Sequence, residues 1–107
     1  MPSTTIARGN AIQTFYIAPT LTPGAVASTS SNQTFTVPGI QANDQIIMVG
    51  LVGTQTAGVT YAEAEATAAN SVQIQFLNIS GSSATPAAGQ YVMQIVRSEG
   101  PLPANAA

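Results

Sequence analysis

The chain has 107 residues, enough for one domain, and only six of them carry charge, for a net charge of −2. It contains no cysteine, histidine, tryptophan or lysine, which excludes disulfide frameworks, thiolate zinc sites, iron–sulfur clusters, cysteine nucleophiles and histidine-based acid–base chemistry, the Ser-His-Asp triad included. Its two cations, Arg8 and Arg97, are too few and too far apart for the basic stripe that nucleic acid or an anionic membrane surface requires.

The informative period along the chain is two, the period of strands. Residues 11–18 alternate Ile12, Thr14 and Tyr16 against Gln13, Phe15 and Ile17, and apolar side chains on both faces predict a strand covered on each side. Residues 19–32 (PTLTPGAVASTSSN) hold Pro23-Gly24 and a serine-rich end, the composition of a long loop. A strand follows at 33–37 and is ended by Pro38-Gly39, because proline cannot donate to a central ladder. Residues 44–52 (DQIIMVGLV) are apolar on both faces and β-branched, which predicts a central buried strand.

Residues 61–69 (YAEAEATAA) have a helical composition but alternate strictly and run through Ala69-Asn70 into 71–79. The expectation is a β-hairpin with Ala62, Ala64 and Ala66 inward and Tyr61, Glu63 and Glu65 outward, a short helix being the alternative. Residues 71–79 place Val72, Ile74 and Phe76 on one face with Gln73 and Gln75 opposite. After a loop at 80–89, residues 90–97 group Tyr91, Met93 and Ile95 against Val92, Gln94 and Val96. Short strands with turn signals between them predict an all-β fold, a single antiparallel β-sandwich of jelly-roll or immunoglobulin-like type spanning 11–97. Residues 1–10 and 98–107 lack sustained alternation and are expected to be either frayed termini or extended terminal arms lying on neighbouring subunits.

Eighteen alanines and 37 Ser, Thr, Asn and Gln residues make up most of the composition. With so little charge, colloidal protection is weak, so the surface is either solvated by uncharged polar groups or covered by a partner; a subunit of an assembly is the expected case. No uninterrupted apolar run approaches the roughly 20 residues of a membrane helix. Residues 1–10 also lack the basic head and apolar centre of a signal peptide, so synthesis in the cytoplasm is expected.

Few side chains suggest chemistry. Glu63 and Glu65 share a strand face at a spacing of roughly 7 Å, compatible in principle with glycoside chemistry or an oxygen-ligand cation. No proton-tuning partner stands beside them, so solvated carboxylates are expected, with no catalytic residue, cofactor or metal. Asn32 and Asn78 head N-glycosylation triplets, which are expected by chance in so Ser- and Thr-rich a chain. Tyr16, Tyr61 and Tyr91 could stack on sugars, although core packing is the plainer expectation for Tyr16 and Tyr91.

Two stretches are familiar together: residues 33–50, QTFTVPGIQANDQIIMVG, and residues 66–97, ATAANSVQIQFLNISGSSATPAAGQYVMQIVR. A strand, Val-Pro-Gly and an Asp-led apolar strand are followed by Ala-Ala-Asn, a V-x-I-x-F strand, a Thr-Pro-Ala loop and a final strand ending in Arg. This arrangement resembles small β-sandwich capsid decoration, or cement, proteins of tailed bacteriophages. The resemblance implies a non-enzymatic virion component on the capsid exterior, made in the host bacterial cytoplasm. It would clamp neighbouring major capsid protein subunits, with no nucleic acid or membrane as partner. It further implies a homo-oligomer, trimer before dimer, with terminal arms reaching neighbours. Ile6, Arg8, Asn10, Ile12 and Leu102 are then the candidate capsid or subunit contacts. A tail, fibre or baseplate module and a carbohydrate-binding β-sandwich remain the alternatives.

Overall fold

A computed structural model describes residues 12–99. Seven strands run through them: β1 (Ile12–Ile17), β2 (Thr20–Leu21), β3 (Ser30–Thr36), β4 (Gln45–Leu51), β5 (Val59–Ala68), β6 (Ser71–Asn78) and β7 (Gly89–Ser98). No helix occurs among the described residues. The strands form two antiparallel sheets packed as a β-sandwich. In one, β7 is central, with β1 and β2 along one side and β4 along the other; in the other, β6 lies between β3 and β5. The helical alternative for residues 61–69 is thus set aside in favour of the β5–β6 hairpin.

The two central strands are those with the cleanest alternation. Val72, Ile74 and Phe76 of β6 and Tyr91, Met93 and Ile95 of β7 are all fully buried and face each other across the sandwich. Their rings lock edge to face: Phe76 meets Tyr91 with centroids 6.2 Å apart, and Phe35 and Tyr61 extend the contact on either side. Such pairs contribute about 0.5–1.5 kcal/mol each beyond the area they bury.

β1 and β2 are one edge strand in a single register. Ile12 opposes Ser98 and Leu21 opposes Gly89 with no slip between. The interruption falls at Ala18-Pro19, where the proline has no N–H to give the ladder. The Pro19 carbonyl still accepts from the Tyr91 amide at 3.0 Å. β2 thus lies inside the segment expected to be a loop.

Two expectations about coverage are corrected. β4 is an edge strand, paired only with β7, and its outward side chains Ile47 and Val49 are more than half exposed. β1 is likewise an edge with one face in solvent: Phe15 and Ile17 pack on the core while Ile12 and Tyr16 do not. A strand with apolar residues on both faces does not reveal by itself whether both are covered.

A third correction concerns β5. Its register against β6 slips between Tyr61 and Ala64 and again between Ala66 and Ala68. Each bulge shifts the inward–outward phase. Tyr61 therefore turns inward beside Val59, Ala62 is exposed, and Ala64 and Ala66 return to the core. Glu63 and Glu65 stay outward, as expected.

The turns are held by side chains. Asn70, at φ 62°, closes the β5–β6 hairpin in the left-handed region that Asn tolerates. Its Oδ1 accepts from the Gly39 amide at 2.8 Å, and its backbone bonds to Val37 and Ile40. Gln33 grips the 22–29 loop by accepting from the Gly24 amide and donating to the Gly24 carbonyl, at 2.7 and 2.9 Å. Gln55 donates to the Tyr91 hydroxyl and accepts from the amides of Thr56 and Ala87, tying two loops to the core.

Candidate functional site

Because Ile12 pairs with Ser98, the described residues begin and end at one end of the sandwich. Of the expected contact residues, Ile12 is the one within the described residues. It is 57% exposed and borders an open groove of about 450 Å³ lined by Gln13, Gln41, Arg97, Ser98 and Glu99. Ile6, Arg8, Asn10 and Leu102 lie outside the described residues, as do the two expected arms but for Ser98 and Glu99.

At the same end sits a buried ion pair. Asp44, one position beyond the Gln45–Val96 pair of β4 and β7, is 4% exposed. Its carboxylate accepts from Arg97 Nε at 2.8 Å and Nη2 at 2.7 Å, a two-point grip, and from the Gln41 amide at 2.9 Å. Arg97 Nη2 also donates to the Gly39 carbonyl at 2.8 Å, and the guanidinium lies 5.0 Å from the Phe15 ring centroid. The Arg97 hydrogen bonds hold the Asp44 carboxyl below its usual range, against the opposing effect of burial; the Gln41 amide and the Arg97 charge add to the lowering. The pair fastens the 39–44 turn to β7 and β1, and every charge in it is committed to structure.

The other candidates resolve simply. Glu63 and Glu65 are exposed on β5 beside a shallow hollow that Asn32, Gln73 and Gln75 complete. Among the described residues no three His, Cys, Asp or Glu side chains come together in a way that could hold a metal ion. Asn78 is 1% exposed. Its Nδ2 donates to the carbonyls of Val26 and Ser82 at 2.9 and 2.8 Å, and its Oδ1 accepts from the amide and hydroxyl of Ser80 at 2.9 and 2.7 Å. It pins two loops rather than presenting an acceptor for glycan. Tyr91 is wholly in the core, as expected, and Tyr61 packs edge-on against it. Tyr16, expected in the core, is instead 65% exposed.

The two outer faces of the sandwich differ in chemistry. The β3–β6–β5 face shows Asn32, Thr34, Gln73 and Gln75 together with Glu63 and Glu65. The face of the sheet centred on β7 shows Tyr16, Gln94 and Ile47 in one cross-strand row, Thr14, Val96 and Gln45 in the next, and then Val92. It carries no charged side chain along these rows. The alternation had marked each of these residues, but only the strand order brings them onto one surface.

No protein-family model matches the chain, nor does any curated protein or solved structure.

Proposed function

We propose that the chain is a non-enzymatic virion protein that decorates the outside of a tailed-phage capsid and stabilises it by clamping neighbouring major capsid subunits. The single observation carrying this reading is that Ile12 and Ser98 are paired, so the described residues begin and end at one pole, beside the open groove at Ile12. Terminal segments joined to one pole of a sandwich suit a body that stands on a surface and reaches to neighbours. The contacts would be apolar side chains and backbone hydrogen bonds, a mode that needs few charges. The resemblance of residues 33–50 and 66–97 to cement proteins supports the same reading, together with a closed homo-oligomer.

Deleting residues 1–10 is expected to leave the sandwich folded and to weaken attachment to shells. A truncated protein that decorates capsids as well as the intact chain would refute the arm-mediated mode. Cryo-microscopy of the parent virion separates a head location from a tail, fibre or baseplate one. A carbohydrate-binding module is the second reading, favoured by the exposed Tyr16 ring flanked by Thr14 and Gln94. Glycan-array binding lost in Tyr16→Ala would select it.

A further inference from the structure

We infer that the outer face of the sheet centred on β7 is a two-fold interface, and that its occupant is a second copy of this chain. The inference extends the self-assembly part of the reading above and is independent of the capsid. It selects a dimer over the trimer that the resemblance favours.

The face is built for burial. Tyr16, Ile47 and Val49 are 65%, 52% and 55% exposed, and Val92 and Val96 of the central strand lie between the two edges, half-buried. Directly paired residues on neighbouring strands point to the same side of a sheet, so Tyr16, Gln94 and Ile47 form one row and Val96 stands in the next.

Charge decides the occupant. A two-fold axis brings each patch against its own image, so a patch whose only charges are carboxylates meets one of the same sign. The β3–β6–β5 face carries Glu63 and Glu65 and would repel its copy. The rows from Thr14 and Gln45 to Val92 carry no charge, and their Thr and Gln side chains can both donate and accept, so the same groups can pair across the axis. A surface without charge is compatible with itself and makes no electrostatic demand on any other partner.

The area suffices. Three strands about 4.8 Å apart and about 24 Å long give a footprint of roughly 340 Å², or on the order of 500 Å² of accessible surface per copy once side-chain relief is included. Two copies bury about 1,000 Å², the threshold for an interface and the size of a weak, reversible one. Face-to-face packing of the two sheets repeats the contact already made inside each sandwich.

Sedimentation equilibrium of the intact chain from micromolar to millimolar concentration tests this without any shell. The wild type is expected to reach a dimer. Thr14→Glu/Ile47→Glu, both at exposed positions, is expected to weaken it by roughly tenfold or more through like-charge apposition, with melting unchanged at dilutions where both proteins are monomeric. Gln75→Glu on the opposite sheet should leave association as it was. Mixing Thr14→Glu/Ile47→Glu with Thr14→Lys/Ile47→Lys should restore a mixed dimer, which a merely unfolded variant could not do. A monomer at every concentration, or an oligomer indifferent to Thr14→Glu/Ile47→Glu, overturns the inference. Shell binding lost in that variant while its dimer persists also overturns it, by assigning the face to the capsid. A wild-type dimer that binds no shell upholds the interface and removes the virion reading instead.

Discussion

Arg97→Met should destabilise the sandwich far more than Asp44→Asn, and the difference should depend on pH. Methionine preserves most of the packing volume of Arg97 but leaves the Asp44 carboxylate 4% exposed with only the Gln41 amide as a close donor. Breaking a buried pair from the cationic side typically costs about 3–5 kcal/mol. In Asp44→Asn, Arg97, whose side chain is 21% exposed, can recover water, and the loss should stay near 1–3 kcal/mol.

The pH dependence has opposite signs in the two proteins. In the wild type, Asp44 is held below its usual range, so its contribution is present above the unfolded carboxyl value and fades as pH falls below about 4. Without Arg97, burial outweighs the Gln41 amide and raises the carboxyl above its unfolded value. The folded variant then regains stability by protonating Asp44, and its deficit narrows on acidification. Urea denaturation of both proteins at pH 7 and near pH 4 measures this. At neutral pH the melting temperature of Arg97→Met should drop by at least about 12 °C. A deficit below about 1 kcal/mol, or one that does not change with pH, would show that the pair is not the fastening it is taken for here.

Gly58→Ala places a Cβ 2.8 Å from the Ser80 Cβ at φ +79°, whereas Gly39→Ala at φ +94° meets nothing within 4 Å. Chemical denaturation should find about 1 kcal/mol lost at Gly39 and about 2–4 kcal/mol at Gly58, and equal losses would refute the close approach. Asn78→Ala removes one of two donors from each of the carbonyls of Val26 and Ser82 and leaves the Ser80 amide and hydroxyl without their Oδ1 acceptor. It should cost about 2–4 kcal/mol and speed amide exchange in residues 80–84, where unchanged exchange would refute the pinning role.

Strand positions were legible because alternation is local: Val72, Ile74, Phe76, Tyr91, Met93 and Ile95 were assigned to the core from their spacing, and all are fully buried. What surrounds a strand is a tertiary property, and so β4 read as central although it is an edge. Bulges leave no mark on composition, which is why Tyr61 and Ala62 exchanged faces. The Asp44–Arg97 pair carried a signal: one acid opens an apolar strand and one cation closes another. Its meaning required knowing that those two strands are antiparallel neighbours in the register that sets Gln45 against Val96. The end-on groove at Ile12 and the uncharged face had no local signature, since both arise only when distant strands are laid side by side.

Pro19 lies midway along one border of the sheet, and the Met48–Gly50 bulge lies on the other. Soluble β-proteins commonly guard open borders with lysines, and this chain has none. The bulge does that work without charge on the β4 border by twisting the strand out of line, whereas the missing N–H of Pro19 faces β7, where its carbonyl accepts from Tyr91, and leaves a gap inside the ladder instead. Where many copies crowd together, a kinked border of this kind hinders neighbouring sheets from knitting edge to edge along β4.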